Sequence, residues 1–102
     1  MPFIFVYITN ENETEAKKIA KHLIEKRLIA CANIFPISSV YRWKGKIEDT
    51  KEAILIAKTK KETYEKVKEE VKKIHPYKVP CIIKIDVEAN KDYGDWLNSE
   101  VG

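Results

Sequence analysis

Glutamine is absent from this chain of 102 residues, glycine occurs three times and cysteine twice. Each scarcity excludes something. With so few glycines there is no glycine-rich loop to cradle a phosphate, and HExxH, paired CxxC and serine-elbow motifs are missing too. Cys31 and Cys81 are far apart and belong to no CxxC pair, so they make no disulfide scaffold and read as buried free thiols. No apolar run reaches the roughly 18 residues that span a bilayer. Phe3-Ile4-Phe5-Val6-Tyr7-Ile8 is too short for a signal peptide and has no basic leader or small-residue cleavage site. A cytoplasmic location, away from any membrane, is the expectation.

What is present is charge of both signs. Nineteen basic and sixteen acidic residues leave a net charge of only +3. Glu65, Lys66, Lys68, Glu69, Glu70, Lys72 and Lys73 interleave along one segment. That is a solvated helix face with supporting ion pairs, not a stripe for nucleic acid. A glutamine-free chain whose charges are mostly Lys and Glu is also the composition expected of a heat-stable protein. The length suits one domain, residues 1–102, with a modest core.

Phe3 to Thr9 is almost wholly apolar and suits a central strand. Asn12 with Glu15 starts a helix in the manner of a capping box. Ala16, Ile19, Ala20, Leu23 and Ile24 mark its buried face, and it is expected to run to about Leu28. His22 sits among its lysines and reads as a surface residue. Ala30 to Lys44 reads as a second strand, with Pro36 marking a bend or bulge. Lys44-Gly45-Lys46 supplies a tight turn. Glu52 to Thr59 suits a strand covered on both faces. Thr59 and Glu62 resemble a second capping box, before a helix buried through Tyr64, Val67, Val71 and Ile74. After the connection His75–Pro80, Cys81, Ile83, Ile85 and Val87 alternate with Ile82, Lys84 and Asp86 in a last strand. Asn90 is placed to cap a short terminal helix carrying Tyr93, Trp96 and Leu97.

The order is β-α-β-β-α-β plus a helix. That predicts an α+β, ferredoxin-like fold with a four-stranded antiparallel sheet, two helices on one face and a long hairpin between the second and third strands. The hairpin strands are about 14 residues each, or about 45 Å at ~3.3 Å per residue, roughly twice the first strand. The far half would then lack both a sheet neighbour and a helix cover. It carries Val40, Tyr41, Trp43 and Ile47, so pairing with other copies of the chain is expected.

Two segments concentrate chemistry. In Ile74-His75-Pro76-Tyr77-Lys78-Val79-Pro80, two prolines restrict an imidazole and a phenol. His75, past a helix C-terminus, is favoured in its protonated form by the dipole. It serves as a hydrogen-bonding strut, a proton carrier or a metal ligand. Tyr41, Trp43, Tyr77 and Trp96 offer the walls of an aromatic cleft. Arg42 and Lys58 are candidates for an anionic ligand there. Cys31, at a strand start, is read as core packing.

The runs Arg27-Leu28-Ile29-Ala30-Cys31-Ala32-Asn33, Tyr41-Arg42-Trp43-Lys44-Gly45-Lys46-Ile47, Thr59-Lys60, His75-Pro76-Tyr77-Lys78-Val79-Pro80 and Tyr93-Gly94-Asp95-Trp96-Leu97 together resemble the CutA1 family of divalent-cation tolerance proteins. The resemblance covers nearly the whole chain. It implies a homotrimer similar in architecture to PII signalling proteins, without established catalysis, that binds Cu(II) or another divalent cation. The candidate inter-subunit cleft is then Cys31, Tyr41, Arg42, Trp43, Lys58, Tyr77 and Trp96. The family's copper site has a cysteine at the end of the first strand and adjacent histidines before the proline-tyrosine. Those positions here read Ile8, Ile74 and His75, so only His75 keeps a ligand-type side chain. The alternatives are a PII-like sensor taking a small anionic metabolite between subunits, and a scaffold that binds a partner protein.

Overall fold

A computed structural model describes residues 2–102. Strand β1 (Phe3–Asn10) is followed by α1 (Glu13–Glu25), β2 (Cys31–Trp43), β3 (Lys46–Lys60), α2 (Tyr64–Ile74), β4 (Ile82–Val87) and α3 (Lys91–Glu100). The sheet order is β2-β3-β1-β4, with every neighbouring pair antiparallel. This is the expected ferredoxin-like α+β arrangement.

Asn12 caps α1 by accepting from the Glu15 N–H at 2.9 Å. The helix stops at Glu25, three residues before the expected end. Arg27 there adopts φ +60°, with Arg27 N–H on the Ile24 carbonyl and Leu28 N–H on that of Leu23, each at 3.0 Å. This is a Schellman stop built without glycine. Ala16, Ile19, Ala20 and Leu23 are buried as expected, but Ile24 is exposed.

Register runs unbroken from Cys31↔Lys58 to Trp43↔Lys46, so Pro36 makes no bulge. β2 is an edge strand, where a proline leaves no ladder bond unmade on its open side. Lys44 and Gly45, at φ +50° and +78°, close the hairpin in the manner of a type I′ turn. β3 begins directly after that turn, earlier than Glu52.

Thr59 is not a helix cap. It ends a strand, fully buried, and its hydroxyl donates to the Leu28 carbonyl at 2.7 Å. A short 3-10 turn (Lys61–Thr63) without a side-chain cap leads into α2 instead. Val67 and Val71 are buried, while Ile74 faces outward. Asn90 stands at the start of α3 but makes no side-chain capping bond.

Side chains alternate across the sheet, and the two faces differ. One face presents Ile4, Val6 and Ile8 with Ala53, Leu55 and Ala57 to α1 and α2, forming the main core. The opposite face carries Phe3, Phe5 and Tyr7 with Ile56 and Lys58, and Ile83, Ile85 and Val87 beside them. α3 crosses only one end of it, where Leu97 and Val101 pack on Phe3. A Cβ at Gly94 would lie 2.9 Å from the Phe3 ring, so glycine is what lets α3 sit this close. Ile83, Ile85 and Phe35 remain exposed. On the helix side of β4, Lys84 lies over the Tyr64 ring and Asp86 pairs with Lys61.

β1 ends at Asn10↔Ala53. Beyond it, Ile37–Trp43 and Lys46–Glu52 pair only with each other. The molecule is accordingly elongated, 45 × 24 × 21 Å. Val40 and Ile47 on this extension are 70% and 71% exposed, and Tyr41 and Trp43 are each 42% exposed.

Candidate functional site

The chemistry gathers where β1 stops and the hairpin continues. There the connection after α2 folds back beside the open face. His75 ends the helix, its N–H on the Val71 carbonyl at 2.8 Å. Its imidazole is 8% exposed and both ring nitrogens are occupied. Nδ1 accepts from the Tyr77 N–H at 3.1 Å, and Nε2 donates to the Thr9 carbonyl at 2.8 Å. An acceptor at Nδ1 and a donor at Nε2 define a neutral ring. The expectation of a protonated, dipole-stabilised His75 therefore fails: the nearby backbone N–H needs an acceptor, and the ring supplies it.

The strut sets the phenol. Tyr77 packs edge-on against His75, with centroids 4.7 Å apart. Its hydroxyl donates to Glu52 Oε2 at 2.5 Å. Burial, then this bond and the charge of Glu52, hold the Tyr77 phenol well above the usual tyrosine range, with Tyr41 and Glu11 adding to the effect. Between this connection and the hairpin lies a cleft of about 720 Å³, with walls that include Tyr7, Tyr41, Trp43, Glu52, Tyr77 and Cys81.

The predicted residues divide between two places. Tyr41, Trp43 and Tyr77 meet in the cleft. Cys31, Lys58 and Trp96 lie at the other end of the sheet, by α3. Cys31 pairs across strands with Lys58, whose ammonium sits 5.5 Å from the Tyr93 ring centre, and Tyr93 touches Trp96 with centroids 5.4 Å apart. Burial first, then the Cys31 thiol, push the Tyr93 phenol up, while Lys58 pulls it down. Arg42 is exposed and alternates to the sheet face opposite Tyr41 and Trp43. Both cysteines are free and half-buried, not core-packed, because the open face and the cleft hold them. His22 is more than a surface residue: it bridges the two long helices through Glu70 at 2.7 Å.

Glu52, Tyr7 and Thr9 were not picked out from the sequence. Counting back by twos from Lys58 along β3 reaches Glu52 on the same face, and that was the available signal.

The copper positions implied by the resemblance do not assemble. Ile8 is fully buried beneath the helices, Ile74 points outward and His75 has no free nitrogen. Among the described residues, no group of three or more His, Cys, Asp or Glu side chains is close enough to hold a metal ion. The residues present do not fit a tight metal site within one chain.

Sheet order, helix placement and the extended hairpin define a ferredoxin-like α+β protein with an apolar face left open. The CutA1 divalent ion tolerance protein family matches residues 4–100, and the chain belongs to that family. It is 47% identical over 98 residues to the divalent-cation tolerance protein CutA of Archaeoglobus fulgidus, covering 95% of this chain and 96% of that one. The protein of the same name from Thermus thermophilus is 44% identical over 99 residues, covering 95% and 96%. A solved structure described as the periplasmic divalent cation tolerance protein CutA from Archaeoglobus fulgidus superposes with a TM-score of 0.94 at 46% identity, covering 98% of this chain and 99% of that chain. Among the described residues no helix is long and apolar enough to cross a membrane.

Proposed function

We propose that this chain serves divalent-cation tolerance as a heat-stable, non-catalytic homotrimer in the cytoplasm, engaging copper or another divalent cation rather than nucleic acid or membrane. The names of its relatives support the cation role. The observation that carries the assembly is the uncovered apolar surface: the hairpin extension and the open sheet face. Apolar edges of this length are usually covered by another chain. Because one chain brings no metal-ligand group together among its described residues, a tight site would draw on more than one copy.

The test is growth in graded Cu(II) of cells lacking this chain. Lost tolerance, restored by expressing the chain, supports the role. Equal growth with and without it contradicts the role. In calorimetry of the assembled protein, saturable Cu(II) binding is expected to survive His75→Ala.

An anionic metabolite in the cleft finds less support. Lys58 lies at the other end of the sheet and Arg42 on its other face. The cleft wall carries Glu52, with Lys78 exposed beside it.

A further inference from the structure

We infer that the hairpin extension of one copy seats in the cleft of the next, with Arg42 placed against Glu52 between the two chains. This contact rests on the assembly proposed above and goes beyond it by giving each face of the extension its own partner. Register puts Tyr41, Trp43 and Glu52 on one face, and alternation puts Val40, Arg42, Ile47 and Asp49 on the other. The first face lines its own chain's cleft with Tyr7 and Tyr77. The second is left uncovered by its own chain, with Val40, Arg42 and Ile47 all exposed. Setting the second face of each copy into the cleft of the next covers both at once. Repeated head to tail, such a contact between unlike faces closes into a ring.

Charge says which groups meet. Among the described residues, neither Arg42 nor Glu52 makes an ion pair. Tyr77 holds one oxygen of Glu52, and a carboxylate accepts through more lone pairs than that bond uses. A guanidinium pairs with a carboxylate and also stacks on aromatic faces, which the cleft offers in Tyr41, Trp43 and Tyr77. Ile47, directly across from Arg42, and Val40 bring apolar surface to the same rings. The signs match a second time: Asp49 is exposed on the face of Arg42, and Lys78 is exposed at the cleft. Within one chain the pair is out of reach. Arg42 lies opposite Ile47, and Glu52 is about 17 Å further along β3 at ~3.3 Å per residue, with its side chain on the other face.

The test uses the full-length chain, with sedimentation as the readout. Arg42→Glu and Glu52→Arg each set like charges together and are expected to raise the concentration at which the assembly dissociates about 100-fold. The chain carrying both exchanges restores opposite signs and is expected to recover most of that loss. Position is read separately, in a chain with Cys31→Ser and Cys81→Ser. There Arg42→Cys together with Glu52→Cys is expected to oxidise into chains linked to one another on a non-reducing gel, while either substitution alone leaves single chains. The contact is overturned, and the assembly stands, if the wild-type chain assembles but the double exchange recovers nothing and no linked chains form. A wild-type chain that sediments as a monomer throughout overturns both.

Discussion

The two faces of the sheet are built from similarly apolar residues and end in opposite states. Ile4, Val6, Ile8 and Leu55 on the helix side are fully buried. Ile83, Ile85 and Phe35 on the other side are at least 40% exposed, as are Val40 and Ile47 of the hairpin extension. The contrast lies in cover, not in composition. α1 and α2 close one face; on the other, α3 covers one end and Ile54 is buried, while Phe35, Ile83 and Ile85 stay uncovered by their own chain. Apolar character alone thus does not tell which residues their own chain covers; topology decides that.

Breaking the uncovered side has the largest expected effect. Placing aspartate at both Val40 and Ile47 is expected to dissociate the assembly outright, read by sedimentation, while the far-ultraviolet circular dichroism of the chain persists. On the covered side, Leu55→Ala leaves a cavity in the main core and is expected to cost about 2–5 kcal/mol in denaturant unfolding. Thr59→Val strips the Leu28 carbonyl of its buried donor, with an expected loss of about 1–3 kcal/mol.

Smaller effects come from titrating groups. The folded state holds the Tyr77 phenol above its ordinary pKa of about 10, so it keeps a proton that the unfolded chain releases. That contribution is complete below the ordinary value and lost as pH rises past it through the folded value. Tyr77→Phe should flatten this alkaline limb and cost at most about 1 kcal/mol at neutral pH. Glu70 shows the reverse sign. Its hydrogen bond from His22, and then Lys26 and Lys73, hold its carboxyl below the usual range. Its contribution is present above the ordinary carboxylate value and lost as pH falls through the lowered one. Glu70→Gln should shallow the acid limb of a stability–pH curve, and an unchanged limb would count against the bridge between α1 and α2.

Much of this architecture is written in local pattern. The apolar run at Phe3–Ile8, the Asn12 cap and the Lys44-Gly45 turn each specify one element from neighbouring residues alone. The unequal strand lengths were enough to foresee an uncovered extension. Long-range pairing was harder to read. Thr59 and Glu62 have the spacing of a capping box, yet a strand end holds Thr59 because Leu28, far away in sequence, offers a buried carbonyl. Glu52 looks like one surface acid among many until register brings it to Tyr77. His75 was legible as unusual, but its two partners, Thr9 and Tyr77, decide that it is a strut. Cys31 and Lys58 were joined to the cleft by their chemistry, and the sheet places them at its other end.

The claim that joins these observations is that the open face and the hairpin extension are covered by further copies of the chain. Sedimentation equilibrium of the intact protein across a wide range of concentrations tests it most directly. A single species of three times the chain mass is the predicted result. A species of one chain mass throughout, with Trp43 as accessible to quencher as a free indole, would contradict it.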